Sequence, residues 1–431
     1  MAFDTLNQML VASVQKFKDR PAFKVKKNKQ FIPISYHDFY QQVQEWGTGL
    51  LELDFKPGDH IGLISENRLH WIISDLAIIG IGAVDVPASG NSYARDIAFK
   101  LKHSDSIAAI LEGDKMLTEF LKAAHQLPEI RALILFDPIK IFAEPQETPE
   151  WGKAVAFEQN GQVSQTFYQR ICSTINSRYR YLFLSEKAES FLENYLQKHS
   201  QTLVQKGYLK AKADLQEKLW DKIKLIKGKQ LVGAPSVYSF MYVQNIGKRA
   251  LKKGNQRFEQ LAQKAQPDDL VTIIYTSGTT SDPKGVMLTH RNLIHNIHNV
   301  PKAVGDVHSH DRFLSVLPSW HIYERTVEYC TISFGASTAY SKPFKQVLLP
   351  DLLQEKPTIL CTVPRIWTSL YKGIQDKIKK GSSLQRWLFQ KALAIAKEYK
   401  ASHRILDHTL PLFDREDFSP HELSQARKTV R

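Results

Sequence analysis

The chain has 431 residues, of which 43% are hydrophobic, 10% aromatic and 24% charged, and its net charge is +14. These values exclude collagen-like, disulfide-scaffold and wholly disordered chains, and the length allows roughly two to four domains. The positive charge indicates anionic partners, which could be a nucleotide, an acyl carboxylate, a lipid headgroup, an acidic protein or a nucleic acid.

An alternation of strand and helix patterns runs from 60 to 137. Short apolar runs predict strands, and segments with helical spacing between them predict helices. The strands are expected at 60–65, 83–88, 107–112 and 130–136, and the helices at 68–80, 95–103 and 115–127. Because strands alternate with helices, we predict a mostly parallel sheet covered on both faces, and we assign 1–170 to a first αβ part.

A basic segment follows at 171–265, with 18 Lys or Arg residues against 7 acidic ones, so the rest of the chain is nearly neutral. Within 177–255, apolar residues recur four positions apart, as in Phe191 with Tyr195, with lysines between them. The pattern predicts a mostly helical insertion. It is either a solvated helical excursion on the main fold or a contact with a membrane surface or an acidic partner.

The αβ pattern resumes in a second part, 266–431. A strand is expected at 269–276, followed by a loop rich in Gly, Ser and Thr and by a helix near 288–300. Further strands are predicted at 313–318, 336–341 and 358–364, with a helix from Arg365. The predicted fold class is therefore α/β, with stacked αβ sheet layers and a helical basic insertion.

The loop that follows the 269–276 strand carries the densest chemical signal. It consists of Thr276, Ser277, Gly278, Thr279, Thr280, Ser281, Asp282, Pro283, Lys284 and Gly285. Short side chains let backbone N–H groups converge on oxyanions, and Lys284 can neutralise phosphate charge. The lysine lies six residues after Gly278 and is followed by Gly285 rather than Ser or Thr, which excludes the Walker A arrangement. The pattern predicts a phosphate-binding loop of another class.

Two segments carry a resemblance to the adenylate-forming (AMP-binding) acyl-CoA synthetases. The sequence 275–285 resembles their YTSGTT-x-x-PKG loop, with Ser281 where the family usually has glycine. The sequence 317–325, LPSWHIYER, is similar to their LP-x-x-H-x-x-E-R block, and SWHxYERT looks closest to the plastid and cyanobacterial acyl–acyl-carrier-protein synthetases. Weaker blocks at 66–68 (ENR) and 363–367 (VPRIW) occur in the family's order. The resemblance indicates the long-chain fatty acid–CoA or acyl-carrier-protein ligase branch.

The resemblance implies a two-step reaction. A fatty acid carboxylate attacks the α-phosphate of ATP, giving an acyl-adenylate and pyrophosphate, and the thiol of coenzyme A or an acyl-carrier protein then displaces AMP. It further implies that Trp320 and His321 form an aromatic gate for the acyl chain and that Mg²⁺ bridges the phosphates, with a contact at Thr276. The catalytic residues would be Lys284, Thr276, His321 and Glu324, and the ATP phosphates would contact Thr276, Ser277, Gly278, Thr279, Thr280, Lys284 and Gly285.

Three blocks of the family are absent from the sequence: YGxTE, YxTGD, and the hinge with a C-terminal domain that carries a catalytic lysine. We therefore expect a C-terminally truncated ligase that is inactive alone. The alternative is a non-catalytic protein of the same descent that binds ATP, an acyl chain or a membrane surface. Charge alone would favour a nucleic-acid binder, but the sequence has no motif that reads nucleic acid, so none is expected as a partner.

The location follows from the cysteines and from the apolar segments. Cys172, Cys330 and Cys361 have neither zinc-site nor redox-pair spacing, which indicates a reducing compartment. The first residues do not resemble a secretory signal. The longest apolar stretch, 76–84, is about half the ~18 residues that a membrane span requires. We expect a cytoplasmic protein, with peripheral contact at the inner membrane face as an open alternative.

Overall fold

A computed structural model of the chain describes residues 3–137, 158–159, 162–163, 236–276, 283–305, 307–409 and 417–430. These residues divide into two compact units, Met1–Cys361 and Thr362–Arg431. The amphipathic helices predicted within 178–235 lie outside the described residues, as do positions 277–282 of the predicted phosphate loop.

A seven-stranded sheet forms the centre of the first unit. In spatial order its strands are β11 (Lys284–Thr289), β10 (Leu270–Thr276), β4 (Val84–Ala88), β3 (His60–Ile64), β5 (Ala108–Leu111), β6 (Ala132–Leu135) and β9 (Ser236–Ser239). Neighbouring strands are parallel, apart from the antiparallel pair β10 and β11. The short apolar strands β4, β5 and β6 are buried along their whole length, as expected where helices cover both faces of a sheet.

A four-stranded sheet forms the second layer of this unit. Its strands in spatial order are β12 (Arg312–Ser315), β13 (Ser337–Tyr340), β1 (Pro21–Lys27) and β2 (Gln30–Ser35). The first three are parallel, and β1 and β2 form an antiparallel hairpin. Asn28 and Lys29 at its turn have φ values of 49° and 66°, the left-handed conformation of a two-residue hairpin. A short separate hairpin pairs β7 (Glu158–Gln159) with β8 (Gln162–Val163).

Helices pack on both sheets of the first unit. They are α1 (Leu6–Phe17), α2 (Tyr36–Glu52), α3 (Leu69–Gly80), α4 (Ala94–His103), α5 (Asp114–Ala123), α6 (Phe240–Lys252), α7 (Arg257–Lys264), α8 (His290–Val304), α9 (Ile322–Phe334) and α10 (Lys345–Glu355). Helix α3 is apolar on nearly all sides and is buried at every position except His70, as a helix between two packed layers must be. The predicted α/β class is confirmed.

The two sheets are each built from both ends of the chain. In the larger sheet β10 pairs with β4, with Thr272 opposite Asp85, and in the smaller sheet β1 pairs with β13, with Phe23 opposite Thr338. The proposed division at 170 and 266 therefore does not separate two sheet layers. Periodicity along the chain indicates which segments are strands, but it carries no information on pairing between residues that are 187 and 315 positions apart in sequence, as these are.

The predicted insertion ends earlier in the structure than at 265. Strand β9 extends the larger sheet beside β6, and α6 crosses α2 so closely that a Cβ on Gly247 would lie 1.8 Å from the Glu45 carbonyl oxygen. The Phe258 ring of α7 occupies the space that a side chain on Gly47 or Gly80 would need. Residues 236–265 thus belong to the main fold because glycines of α2 and α3 admit them.

The second unit consists of three helices, α11 (Pro364–Lys379), α12 (Ser383–Leu406) and α13 (Pro420–Val430). The helix predicted from Arg365 is therefore present. The strand predicted at 358–364 is reduced to a single bridge between Ile359 and Phe313. Among the residues that the structure describes, no helix is both long and apolar enough to cross a bilayer.

Candidate functional site

The predicted phosphate loop is the turn of a β-hairpin. Thr276 ends β10 and Lys284 begins β11, and these two residues are opposite each other in the antiparallel ladder. Both are exposed, and Lys284 has no ion-pair or hydrogen-bond partner among the described residues. Ser277, Gly278, Thr279 and Thr280 lie outside those residues. Among the described residues, therefore, nothing compensates the ammonium group of Lys284 at the edge where β10 ends, and an anion there would stabilise it.

The helix predicted near 288–300 begins at His290. Residues Lys284–Thr289 before it form β11, because they pair along the whole of β10. The predicted phosphate loop therefore connects two antiparallel strands and does not lead directly into a helix. Gly285 is needed for this pairing, since a Cβ there would lie 2.9 Å from Cγ2 of Ile273 and 3.4 Å from the Tyr275 ring.

A cleft of about 530 Å³ opens where the carboxyl ends of strands from both sheets meet. Open α/β sheets bind ligands at the carboxyl ends of their parallel strands, so the position of the cleft is that of a binding site. Its lining follows β3, β4, β5, β6, β12 and β13 and consists of Glu66, Asn67, Gly90, Asn91, Glu112, Gly113, Lys115, Met116, Asp137, Val316, Pro318, Lys342, Pro343 and Phe344. Strand β10 is parallel to β4, so the hairpin loop lies at the same edge of the larger sheet.

The ENR segment holds the rim of this cleft together. Asn67 Nδ2 donates to Ser315 Oγ at 3.2 Å and to the Ser341 carbonyl at 3.4 Å, which joins the end of β3 to the ends of β12 and β13. Arg68 donates two hydrogen bonds to the Asp137 carboxylate, at 2.6 and 3.1 Å. Asn67 therefore joins the two sheets at their carboxyl edges, and Arg68 joins the ends of β3 and β6 within the larger sheet.

The cleft contains charged residues that the sequence analysis did not identify. Glu112 and Asp137 directly follow β5 and β6, Lys342 follows β13, and Lys115 Nζ donates to Asn91 Oδ1 at 2.7 Å. Acidic and basic groups on one wall suit a polar ligand that has both donors and acceptors. A signal was available, because the first polar residue after each predicted parallel strand is a candidate for the ligand-binding edge.

Trp320 and His321 lie together at the start of α9. Their ring centroids are 6.2 Å apart with an angle of 66° between the planes, an edge-to-face arrangement. The exposed His321 caps the helix, since its Nδ1 accepts a hydrogen bond from the Tyr323 backbone at 3.2 Å. Trp320 Nε1 is buried and has no acceptor among the described residues. The structure brings the two predicted gate residues into contact, and their role as a gate stays a prediction.

Glu324 faces the interior and is not among the residues that line the cleft. It is 1% exposed, and burial together with the neighbouring Glu328 raises its pKa well above the usual range. Burial also raises the pKa of Glu328 to about 8, while Ser319 Oγ donates to its carboxyl at 2.9 Å. The raised pKa values favour the protonated form of both carboxyls. A catalytic role for Glu324 stays a prediction. Its buried position on α9 favours a structural role, in which it supports the segment that carries Trp320.

Arg325 forms a buried ion-pair cluster that the sequence analysis did not identify. Its guanidinium donates to Asp85 Oδ1 at 2.7 Å, to Thr272 Oγ1 at 2.8 Å and to the Asp75 carboxylate, and its Nε donates to Tyr329 Oη at 2.8 Å. These partners belong to α3, β4, β10 and α9. Arg325 therefore fixes the helix that follows Trp320 and His321 to the strand that leads to the hairpin loop.

The described residues contain no group of three or more His, Cys, Asp or Glu side chains arranged to hold a metal ion.

The family model and the curated relatives that match this chain agree with each other. The model of the AMP-binding enzyme family matches residues 10–405. A chloroplastic long-chain-fatty-acid–acyl-carrier-protein ligase of Arabidopsis thaliana is 26% identical over 399 residues, covering 92% of this chain and 43% of the relative. Long chain acyl-CoA synthetase 5 of the same plant is 35% identical over 370 residues, covering 85% of this chain and 42% of the relative. The chain spans less than half the length of these curated relatives.

Solved structures with a similar fold are adenylation domains. That of a carboxylate reductase from Mycobacterium chelonae superposes with a TM-score of 0.58 at 15% identity, covering 99% of this chain and 56% of that one. An AMP complex of a carboxylic acid reductase didomain from Segniliparus rugosus gives 0.58 at 16% identity, covering 99% of this chain and 51% of that one. At these identities the similarity concerns the fold.

Proposed function

The chain belongs to the family of AMP-binding enzymes, and from this premise we propose that it supplies the ATP-binding part of a ligase that joins a long-chain fatty acid to a thiol. The printed names of the relatives support the fatty acid and a coenzyme A or acyl-carrier-protein acceptor. One observation carries the proposal: the hairpin pairs Thr276 with Lys284 at the sheet edge that also bounds the cleft, and leaves the Lys284 ammonium without a partner among the described residues.

The chemistry of adenylation assigns the loop a specific task. When a carboxylate attacks the α-phosphate, negative charge develops on the departing pyrophosphate, and a fixed cation beside it stabilises the transition state more than the ground state. We assign this role to Lys284, and the Thr276 hydroxyl would orient a phosphate oxygen. Mg²⁺, bound through the phosphates with a contact at Thr276, would supply further charge neutralisation.

The acyl chain belongs at a different place, beside Trp320 and His321. Their edge-to-face rings offer an apolar wall, and His321 is exposed at the start of α9. The membrane contact predicted for 177–255 and the inactivity expected of this chain alone stay predictions. The second candidate, a non-catalytic ATP- or acyl-binding protein, shares the same two sites and differs only in having no turnover.

Two substitutions, each at one of the two sites, test where ATP and the fatty acid bind. The binding of both ligands to each variant is measured at equilibrium. Lys284→Ala should weaken MgATP binding roughly 10- to 100-fold, the value of a charge-assisted hydrogen bond, and leave fatty-acid binding unchanged. Trp320→Ala should do the reverse. Lys56→Ala, at an exposed lysine far from the hairpin in sequence, is the matched control and should bind both ligands as the wild type does.

The outcomes separate the alternatives. Failure of the wild-type chain to bind MgATP, or loss of fatty-acid binding without loss of ATP binding in Lys284→Ala, would contradict the placement of the nucleotide. Fatty-acid-dependent ATP–pyrophosphate exchange by the chain alone would establish the ligase and overturn the expected inactivity. Binding of both ligands without exchange fits the expected inactivity.

A further inference from the structure

The turn that carries Trp320 is anchored to the interior by Ser319. Residues 318–321 form a β-turn, because the His321 backbone N–H donates to the Pro318 carbonyl at 3.0 Å. Ser319 and Trp320 are its two central residues. The Ser319 side chain is fully buried, and its Oγ donates to Glu328 Oε1 at 2.9 Å. The turn lies outside both sheet ladders, so this hydrogen bond is the contact through which a side chain of α9 holds it.

Glu328 receives a second hydroxyl from the side of the cleft. Ser315 Oγ donates to Glu328 Oε1 at 3.3 Å, and the same Ser315 Oγ accepts a hydrogen bond from Asn67 Nδ2 at 3.2 Å. Asn67 and Pro318 both line the cleft. One carboxyl of α9 therefore joins the rim of the cleft to the turn that carries Trp320.

The surroundings of Glu328 suit a neutral acid. It is fully buried, and Glu324 lies one helical turn before it on the same helix face. Burial, and after it the two carboxyls, raise the pKa of the Tyr340 hydroxyl well above its usual range. Burial, which Asp75 reinforces and Arg325 opposes, raises the pKa of Glu328 to about 8. In its neutral form Glu328 accepts both hydroxyls without placing a charge in the core.

The Trp320 ring depends on the turn for its orientation. The ring packs against the main hydrophobic core, and its Nε1 has no acceptor among the described residues. Apolar packing is non-directional, so the backbone that carries the ring must fix it. A wall that contacts an acyl chain has to be held in place by the residues behind it.

We propose that Glu328 is a positioning residue of the acyl site, which fixes the 318–321 turn through Ser319 and thereby orients the Trp320 ring. The proposal rests on the proposed function for the contact between Trp320 and the fatty acid. The orientation of the ring is tested without a ligand, so that failure of the positioning and failure of the acyl assignment are distinguishable.

Fluorine NMR of the whole chain, grown with fluorotryptophan, tests the positioning. Trp320→Phe removes one resonance and so identifies that of Trp320 among the seven tryptophans. Glu328→Leu and Ser319→Ala should each shift and broaden the Trp320 resonance. Glu328→Gln keeps an uncharged carbonyl acceptor at the same place and should leave the resonance as in the wild type. If Glu328→Leu does not fold, Ser319→Ala alone carries the test.

Thr331→Val is the matched control for the loss of a buried hydrogen bond on α9. Thr331 Oγ1 donates to the Glu328 carbonyl at 2.7 Å and shares a hydrogen bond with Thr338 Oγ1 at 3.0 Å. Neither contact reaches the turn. This variant should lose stability in urea and keep the Trp320 resonance, because a purely structural hydrogen bond does not orient the ring.

Equilibrium binding tests the consequence for the ligand. Glu328→Leu and Ser319→Ala should each weaken fatty-acid binding roughly 3- to 10-fold, the value of one neutral hydrogen bond, and leave MgATP binding unchanged. Because the two substitutions break the same hydrogen bond, the double variant should bind fatty acid no more than about twofold more weakly than either single variant. Glu328→Gln should bind as the wild type does.

Several results would overturn the proposal. It fails if Ser319→Ala leaves the Trp320 resonance unchanged, if Thr331→Val disturbs that resonance equally, or if Glu328→Gln behaves like Glu328→Leu. It also fails if the losses in fatty-acid affinity are additive. Fatty-acid binding that survives Trp320→Ala would instead refute the acyl assignment, and the link from Glu328 to the ligand would be withdrawn with it.

Discussion

Removal of the Arg325 guanidinium should be among the most destabilising single changes in the first unit. Arg325 is fully buried, its guanidinium contacts Asp75, Asp85 and Thr272, and its Cζ lies 5.4 Å from the Trp71 ring. Removing one member of such a buried pair leaves uncompensated carboxyl groups, which costs roughly 3–5 kcal/mol. We therefore expect Arg325→Met to lower the free energy of unfolding by about this amount.

The stability that Arg325→Met loses should depend on pH in a defined direction. Burial raises the pKa of Asp75 to about 7, and the positive charge of Arg325 opposes that rise. Without Arg325 both carboxyls take up protons more readily in the folded state, and holding those protons costs more free energy at pH 8 than at pH 5. The difference between wild type and Arg325→Met should therefore be larger at the higher pH.

Urea unfolding followed by tryptophan fluorescence measures the effect. Combining Arg325→Met with Asp75→Asn and Asp85→Asn removes all three charges and should recover at least half of the loss, since a neutral buried cluster no longer contains an unpaired ion. A cost below about 1 kcal/mol for Arg325→Met alone, or a triple variant no more stable than the single one, would refute the ion-pair reasoning.

Three further predictions concern other parts of the fold. Because burial raises the pKa of Glu328 to about 8, the folded chain holds a proton there that the unfolded chain releases, so stability falls as pH rises through this range; Glu328→Gln should reduce that fall in urea titrations between pH 6.5 and 8. Gly247→Ala would place a Cβ 1.8 Å from the Glu45 carbonyl oxygen, so the helices must separate, and thermal unfolding should reveal a loss of about 1–3 kcal/mol; a neutral effect would contradict the close crossing. Asn67→Ala removes the hydrogen bonds to Ser315 that join the two sheets, and hydrogen exchange at the ends of β3 and β12 should become faster, whereas unchanged protection would show that the sheets are held by other contacts.

The elements in which apolar residues recur with a clear period were predictable from the sequence, because burial of one face of a strand or helix imposes that spacing locally. The apolar runs at 60–65, 107–112 and 130–136 became β3, β5 and β6, and the Pro before Arg365 marked the start of α11. The hairpin loop was recognisable because the hydroxyl and glycine residues that phosphate binding needs are contiguous in sequence.

Features that depend on distant residues were not predictable. No strand was predicted at 284–289, and its pairing with β10 is what makes this segment strand β11. The buried cluster unites Asp75, Asp85 and Arg325 across 250 positions, and each of the three is by itself an ordinary charged residue. The charged wall of the cleft likewise exists only because the parallel strands end at one edge. Such features follow from tertiary pairing, which local periodicity does not encode.

The central claim is that the hairpin loop binds the phosphates of ATP, and affinity labelling of its lysine tests that claim most directly. An ATP derivative with an acyl group on its terminal phosphate transfers the acyl group to a lysine amine beside the phosphates and releases ATP, and peptide mass spectrometry identifies the modified lysine. The account predicts that Lys284 is labelled and that excess ATP protects it. Labelling at Lys115 or Lys342 of the cleft, or labelling of exposed lysines that ATP does not reduce, would contradict it.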